Sequence, residues 1–233
     1  MKVVVSLTTI YDNLSTLPNP LISLLNQSRM PDRIILNLSS QPYLLDKGFK
    51  NYKIPRWLKD MPIEIRWVPN NGAYRKLLPT LKELWNEDAV IITVDDDTVY
   101  DFDFVKLLVE EYEKEKNCVA YRCKLWFPNC KYVEMKDAVK KSVENFHTGK
   151  GGVLYHPSFF HGTPIFSEEF MKLCPYNDDF WFNFCRMKNK IPCVYLDTNM
   201  ILLDIINEKR LWIAYNQEKN DSQMRDTYEF LFG

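Results

Sequence analysis

The sequence predicts an α/β fold with a Rossmann-like, mostly parallel central sheet. Three observations support this. Strand-length apolar runs alternate with helical segments, one strand–helix–strand unit fills the first 40 residues, and the run "AVIITVD" is the most apolar of the predicted strands. Strands that alternate with helices form parallel sheets, and their central strands are covered on both faces. The 233 residues contain no obvious linker, so we expect a single domain.

The regular elements follow one another in the amino-terminal half. "KVVVSLTT" and "DRIILNLSS" predict two strands around a helix in "LPNPLISLLNQS", and the alternation of "IEIRWV" predicts a third strand. "AYRKLLPTLKELWNED" predicts a helix with Pro79 in its first turn. "AVIITVD" is the fourth and innermost strand, "FDFVKLLVEEYEKEK" is an amphipathic helix, and "NCVAYRCKLW" is a fifth strand.

The carboxyl-terminal half has a weaker pattern. Residues 124–166 are mostly irregular, "SEEFMKLCP" and "DDFWFNFCRMKNK" predict short helices, and "PCVYLDT" predicts a strand. "NDSQMRDTYEFLF" predicts a terminal helix capped by Asn220 or Asp221. We therefore divide the single domain into a regular half, about 1–123, and a looser half, about 124–233, which we expect to hold the acceptor side of a site.

Composition excludes several classes of function. The net charge is −1, from 30 basic and 31 acidic residues without a long basic run, so nucleic acid is not an expected partner. The six cysteines form no C-x-x-C pair, which argues against zinc and predicts reduced core thiols. No signal-peptide pattern and no apolar run of about 20 residues is visible. We expect a cytoplasmic protein with at most peripheral membrane contact.

Three consecutive aspartates follow the most apolar strand. Side chains alternate along a strand, so Asp95 and Asp97 should share one face and Asp96 should point to the other. Ligands of parallel sheets bind beyond the carboxyl ends of the strands. Neighbouring carboxylates repel each other, and a hard divalent cation, Mn²⁺ or Mg²⁺, removes that repulsion. The alternative is a solvated turn that caps the next helix.

Five segments, in this order along the chain, carry a family resemblance. They are "VVVSLTTI", "YRKLLPTLKE" before the D-x-D strand, "TGKGGVLY", "NDDFWF" and the tail "LW…ND.QM". Together they resemble a bacterial, family-2-like group of GT-A fold glycosyltransferases associated with lipopolysaccharide or capsule biosynthesis. The resemblance implies a metal-dependent enzyme at the inner face of the cytoplasmic membrane. It would move a sugar from a nucleotide-sugar, most simply a UDP-sugar, to a surface-glycan, saccharide or lipid-linked saccharide acceptor.

The same resemblance implies roles on the donor side. Thr8 and Thr9, at the end of the first strand, would hold the nucleoside, although "TTIYDN" lacks the arginine that relatives often carry there. Asp95 would contact the ribose or the metal shell, and Asp97 would bind the metal. His161 is our choice for a third metal ligand.

A pair of basic residues precedes the D-x-D strand. A cation beside the free N–H groups of a helix start makes an anion site, so we expect Lys76 or Arg75 to contact a donor phosphate.

On the acceptor side, Gly151 and Gly152 would let the backbone approach a sugar closely, or would simply form a turn. Asp178 and Asp179 resemble the acidic pair that supplies the general base of inverting GT-A enzymes. We choose Asp179 as the base, with Asp178 as the alternative, and expect Trp181 to stack on a sugar ring.

Two other functions remain open at this stage. "DDDTV" matches the D-x-D-x-[TV] string of haloacid-dehalogenase-like phosphohydrolases, in which Asp95 would be the nucleophile. The chain could also be a non-catalytic sugar-binding protein that kept the GT-A fold.

Overall fold

The computed structural model describes residues 1–198, 202–205 and 217–233. Within these ranges the strands are β1 (Lys2–Thr8), β2 (Arg33–Leu38), β3 (Glu64–Trp67), β4 (Ala89–Thr93), β5 (Thr98–Val99), β6 (Cys118–Ala120), β7 (Cys123–Leu125), β8 (Lys136–Asp137), β9 (Lys141–Ser142), β10 (Asn145–His147), β11 (Val153–Tyr155), β12 (Cys193–Tyr195) and β13 (Leu203–Asp204). The helices are α1 (Pro18–Leu24), α2 (Arg56–Lys59), α3 (Leu78–Glu83), α4 (Phe104–Glu115), α5 (Phe170–Leu173), α6 (Asp178–Lys188) and α7 (Gln217–Phe232).

Eight of these strands form one central sheet in the order β3-β2-β1-β4-β11-β6-β12-β9. The strands β3, β2, β1 and β4 are mutually parallel, as is the pair β6 and β12. Strand β11 runs antiparallel between β4 and β6, and β9 is an antiparallel edge strand. Two small sheets, β10-β7-β8 and β13-β5, lie beside it. The predicted single α/β domain with a mostly parallel central sheet is confirmed, while the functional division near residue 123 stays a prediction.

Burial explains why β4 carries no polar alternation. All five of its residues are buried, because it pairs with β1 on one side and β11 on the other and both its faces are covered. Helix α3 is joined to β1 by a buried hydrogen bond of 2.8 Å between the hydroxyls of Thr80 and Ser6. Helix α4 packs its buried apolar side chains against β6 and β11.

The structure differs from the prediction most clearly in the carboxyl-terminal half. The central strand β11 was missed, because three residues after a glycine cluster are too few to show a period. The run "NCVAYRCKLW" forms two strands in different sheets, β6 and β7, instead of one. Helix α7 begins at Gln217, so Asn220 and Asp221 lie inside it and the predicted cap is wrong.

The helix predicted before the D-x-D strand is also shorter than expected. Residues Gly72–Lys76 form a 3₁₀ turn, and α3 covers only Leu78–Glu83, with Pro79 in its first turn as predicted. Lys76 therefore ends a turn and does not open a long helix. None of the described helices is both long and apolar enough to cross a bilayer.

The structure makes a direct prediction for Gly152. Its φ is +84°, and an added Cβ would lie 2.4 Å from the buried ring of Phe104. Strain at positive φ and overpacking of the core should together lower the free energy of unfolding of Gly152→Ala by about 3 kcal/mol. Urea denaturation measures this.

Gly162→Ala is the matched control, because Gly162 has a φ of +76° but no atom within 4 Å of an added Cβ. Gly162→Ala should lower the free energy of unfolding only by the cost of backbone strain at positive φ, about 1 kcal/mol. Equal losses in the two variants would show that the contact with Phe104 carries no energy.

Candidate active site

A cleft of about 430 Å³ opens at the carboxyl ends of β1 and β4. This is the edge at which parallel sheets bind ligands. Its wall includes eight of the residues predicted from the sequence: Thr8, Thr9, Arg75, Lys76, Asp95, Asp97, Asp178 and Asp179. The fold thus brings the acidic cluster after β4 together with the acidic pair that opens α6.

A buried lysine joins these two acidic groups. The amine of Lys76 lies 3.1 Å from Asp95 Oδ1 and 3.1 Å from Asp178 Oδ2, and its side chain is only 7% exposed. Burial alone would lower the pKa of Lys76, but the charges of the surrounding carboxylates outweigh it and raise that pKa well above its ordinary value. Lys76 is therefore a permanent positive charge between the two halves of the cleft.

Asp179 sits in a different environment from its neighbour. Its Oδ1 accepts a hydrogen bond of 2.9 Å from the backbone N–H of Gly149. Burial and the nearby charge of Asp178 raise the pKa of Asp179 to about 7, and Lys76 opposes them only in part. A carboxylate with such a pKa can accept a proton near neutral pH. The pKa of Asp178 is also raised by burial, although its ion pair with Lys76 works against the shift.

Gly149 belongs to this arrangement as well. An added Cβ would lie 2.4 Å from the amine of Lys76 and 3.3 Å from Asp179 Oδ1. Only a residue without a side chain lets the lysine and the aspartate approach the same stretch of backbone.

The middle aspartate, predicted to point away from its neighbours, lines the same cleft, because β4 ends at Thr93 and strand alternation does not extend to the cluster. Asp96 Oδ2 accepts hydrogen bonds from the hydroxyl of Thr9 and from Asn13 Nδ2, the latter at 3.0 Å. Asp96 thereby fixes the loop after β1 against the turn after β4. Burial raises the pKa of Asp96, and the two hydrogen bonds reduce that rise.

A second buried ion pair lies in the wall of the cleft. Arg75 Nη2 lies 2.8 Å from Asp46 Oδ2, with the two side chains 1% and 3% exposed. Both residues line the cleft. Arg75 keeps one N–H group, at Nη1, without a hydrogen-bond partner among the described residues. Whether Arg75 or Lys76 contacts a phosphate stays a prediction.

Helix α6 presents the acidic pair, and α7 supports it. Asn177 caps α6 by accepting a hydrogen bond of 3.1 Å from the N–H of Asp179. Asn177 Nδ2 donates in turn to Asn220 Oδ1 at 3.1 Å, and the N–H of Tyr176 donates to Gln223 Oε1 at 3.1 Å. The "ND.QM" part of the tail therefore holds the start of α6, while the "LW" part lies outside the described residues.

His161 is not part of this site, which corrects the prediction of a third metal ligand. It lies in a separate surface depression with Trp85, Asp88 and His156. Its Nε2 is 3.2 Å from the carbonyl oxygen of Trp85. Trp85 and Asp88 precede β4, so His161 is at the opposite end of that strand from Asp95 and Asp97.

The three residues predicted to bind the acceptor also need correction. The ring of Trp181 is fully buried and donates a hydrogen bond of 2.9 Å to the carbonyl of Ile165, so it offers no face to a sugar. Gly151 packs against Arg122, and Gly152 packs against Phe104. The glycines that follow β10 therefore admit neighbouring side chains, and Gly149 and Lys150 line the cleft in their place.

Other cleft residues were missed. They are Asn13, Tyr43, Asp46, Asp96, Arg122, Tyr132, Thr148, Lys150, Tyr176 and Asn177. Asp46 had a usable signal, because it sits in a turn after a predicted strand. Arg122 and Tyr132 had none, since Arg122 lies inside a run predicted as one continuous strand and Tyr132 lies in the irregular stretch 124–166.

The fit of the site to a metal depends on its donor atoms. No group of three histidine, cysteine or acidic side chains that could hold a metal ion occurs in the described ranges, where all six cysteines are buried and free. Nucleotide-bound Mg²⁺ and related ions, however, use one or two carboxylates and complete their shell with phosphate oxygens and water. Asp95 and Asp97, both in the cleft wall, match that limited requirement.

The balance of charged side chains in the cleft also fits a bound metal ion. Six aspartates line the cleft, at positions 46, 95, 96, 97, 178 and 179, against four cations, Arg75, Lys76, Arg122 and Lys150. An anionic ligand entering this cleft needs further positive charge.

No protein-family model matches the chain, and no curated protein matches it. Solved structures share its fold. S. aureus TarS 1–349 with UDP-GlcNAc superposes with a TM-score of 0.59 at 14% identity, over 92% of this chain and 62% of that one. The same protein with UDP gives 0.57 at 12% identity, over 86% and 59%. A Bacillus anthracis protein assigned as a glucose-1-phosphate thymidylyltransferase, in complex with sucrose, gives 0.52 at 13% identity, over 100% and 97%.

The chain thus spans about three-fifths of the length of these TarS chains. Identities this low show the fold alone, and that fold agrees with the predicted GT-A type. Membership of the lipopolysaccharide or capsule group stays a prediction.

The central ion pairs give a testable consequence for stability. Lys76→Met would leave Asp95 and Asp178 without their counter-charge in a poorly solvated place. We expect the free energy of unfolding to fall by about 3–5 kcal/mol. Denaturant unfolding at pH 7 measures the change.

Two further variants test the cause. The double variant Lys76→Met/Asp178→Asn should regain a substantial part of the loss, because it removes one uncompensated charge. Lys82→Met, an exposed lysine on α3, should change stability by less than about 0.5 kcal/mol. Additive losses in the double variant would contradict the ion-pair account.

Proposed function

We propose that the protein is a metal-dependent glycosyltransferase that moves a sugar from a UDP-sugar to a saccharide or lipid-linked saccharide acceptor. The observation that carries the proposal is the cleft in which the Asp95–Asp97 edge faces the Asp178–Asp179 pair across Lys76. Support comes from the GT-A type fold and from TarS, whose structures contain UDP and UDP-GlcNAc in the same fold.

The donor side of the proposal assigns the nucleotide to the loop after β1. Thr8 and Thr9 lie at the end of that strand in the cleft wall, and Asp96 holds the loop in place. The carboxylates of Asp95 and Asp97 would hold Mn²⁺ or Mg²⁺ together with the donor diphosphate. When bound, that ion would stabilise the negative charge that develops on the leaving diphosphate.

The acceptor side of the proposal assigns the proton transfer to Asp179. Its pKa of about 7 lets it take a proton from the attacking hydroxyl at neutral pH. The N–H of Gly149 fixes its orientation at 2.9 Å, and Lys76 keeps the adjacent Asp178 charge compensated. A base on the face opposite the leaving group fits a single displacement with inversion at the anomeric carbon.

Three rival functions have less support. The phosphohydrolase hypothesis needs Asp95 as a free nucleophile after a first strand, but Asp95 follows the fourth strand along the chain and is paired with Lys76. A nucleotidyltransferase, suggested by the B. anthracis neighbour, must bind a triphosphate, yet the loop Thr8–Asn13 contains no glycine and no basic residue. A non-catalytic sugar-binding protein would bind the sugar without transferring it. The measurement of transfer described below distinguishes it from an enzyme.

The same proposal predicts where in the cell the enzyme acts. A lipid-linked or surface-glycan acceptor would place the enzyme in the cytoplasm, at the inner face of the membrane, in surface-polysaccharide assembly.

Donor binding is tested by thermal unfolding with UDP and Mn²⁺. The protein supplies few metal ligands, so Mn²⁺ alone should shift the melting temperature little and UDP with Mn²⁺ should shift it most. At a free UDP concentration of about 100 Kd, the stabilisation should be about 2.7 kcal/mol. For a domain of this size that is a shift of several degrees.

Asp97→Asn should remove the increment that Mn²⁺ adds to the UDP shift. Asp60→Asn, at an exposed surface aspartate, should leave it unchanged. A UDP shift that is the same with and without Mn²⁺ would argue against the metal-dependent donor site, and no UDP shift at all would refute the proposed function.

The base is tested by the pH dependence of transfer and by Asp179→Asn. Asp179 is protonated below its pKa and cannot accept a proton, so the transfer rate should rise with pH through about 7. Asp179→Asn should reduce transfer by about 10²–10⁴-fold and retain the UDP shift. If Asp179→Asn keeps its activity while Asp178→Asn loses it, the base is Asp178.

A further inference from the structure

Two cations on the acceptor side of the cleft are not used by the proposed chemistry. Arg122 and Lys150 both line the cleft. Arg122 is exposed and has no ion-pair partner within the part of the chain that the structure describes. Lys150 pairs with Asp204 at 2.6 Å, but their side chains are 39% and 38% exposed. A surface pair of this kind is weak and can be exchanged for another anion.

These two cations differ from the others in the cleft. Arg75 is held by the buried Asp46, and Lys76 is held between Asp95 and Asp178. Of the four basic side chains in the wall, only Arg122 and Lys150 can give their charge to a ligand without breaking a buried ion pair.

The backbone places both cations next to the proposed base. The carbonyl of Arg122 accepts a hydrogen bond of 2.9 Å from the N–H of Thr148. The next residue, Gly149, donates its N–H to Asp179, and Lys150 follows directly. One short segment therefore connects Arg122, the base and Lys150.

Gly151 packs against Arg122, and Tyr132 lies close enough to feel its charge. An added Cβ at Gly151 would lie 2.9 Å from Arg122 Cβ, so the absence of a side chain lets the two loops meet. Tyr132 also lines the cleft. Burial raises the pKa of Tyr132 to about 12, with Asp179 adding to the rise and Arg122 opposing it, as expected for a hydroxyl near both charges.

We propose that the acceptor is anionic and that Arg122 and Lys150 bind its phosphate or carboxylate group while Asp179 receives the proton of its attacking hydroxyl. The inference rests on the proposed glycosyltransferase function and adds the class of acceptor. A guanidinium binds either group through two parallel hydrogen bonds, and the lysine adds a second charge. An anion beside six aspartates needs such cations, and a neutral sugar would not.

The experiment fills the donor site first. With saturating UDP and Mg²⁺, chosen because paramagnetic Mn²⁺ would broaden the resonances of the cleft, the protein is titrated by NMR with three probes that share one ring: methyl β-glucoside, its 6-phosphate and methyl β-glucuronide. At least one anionic probe should bind about tenfold or more tightly than the neutral glucoside. The affinities of the 6-phosphate and the glucuronide, compared with each other, show whether the site prefers a phosphate or a carboxylate.

Variants assign that preference to residues. Arg122→Gln should remove most of the preference, and Lys150→Gln should reduce it. Asp204→Asn should strengthen binding of the anionic probe, because it releases Lys150 from its partner. Lys124→Gln is the matched control, since Lys124 lies two residues from Arg122 and pairs with Asp137 at the surface.

Three outcomes would overturn the inference. Equal binding of all three probes, including no binding of any, shows that the acceptor side does not select an anion. A loss of UDP affinity in Arg122→Gln or Lys150→Gln, with no change for the anionic probe, assigns the cations to the donor. Failure of UDP to bind the unmodified protein refutes the proposed function and the inference with it, and this result is distinct from the other two.

Discussion

The site depends on one amine shared by two carboxylates that come from distant parts of the chain. Lys76 lies 3.1 Å from both Asp95 and Asp178, so it links the edge of the central sheet to the start of α6. Removing carboxylates from water costs several kcal/mol each unless an opposite charge compensates them. The fold can bring the two acidic groups into one cleft because this lysine lies between them. The lack of a side chain at Gly149, whose Cβ would stand 2.4 Å from the amine, preserves that geometry.

The same amine gives two adjacent aspartates different properties. Asp178 is paired with Lys76, whereas Asp179 accepts a backbone N–H and has its pKa raised to about 7. Burial raises the pKa of both carboxyl groups, but the ion pair with Lys76 opposes the shift of Asp178, and such unequal environments give neighbouring carboxyl groups different roles. Helix α7 supports this division through the hydrogen bond of 3.1 Å between Asn220 and Asn177, the cap of α6. The terminal helix therefore acts on the site without lining it.

The sequence predicted the fold class and the place of the acidic cluster at the edge of the sheet, because both depend on local patterns. A run as apolar as β4 is typical of a strand covered on both faces, and polar residues that follow such a strand lie at the carboxyl edge of the sheet. It could not predict β11, since three residues carry no period, and so it missed that Arg122 and Lys150 reach the cleft. Trp181 and His161 were misplaced for a different reason. The sequence names residue types that suit a sugar or a metal, but only tertiary packing decides that the ring is fully buried and that the imidazole lies at the far end of β4.

The central claim is that one cleft holds a nucleotide diphosphate at the Asp95–Asp97 edge with Asp179 across from it. A crystal structure of the protein grown with UDP and Mn²⁺ tests this most directly. The account predicts the metal between Asp97 and the diphosphate, the uridine beside Thr8 and Thr9, and Lys76 still bound to both its aspartates. Nucleotide bound elsewhere, or a diphosphate in the cleft with neither a metal nor Asp97 beside it, would contradict the account.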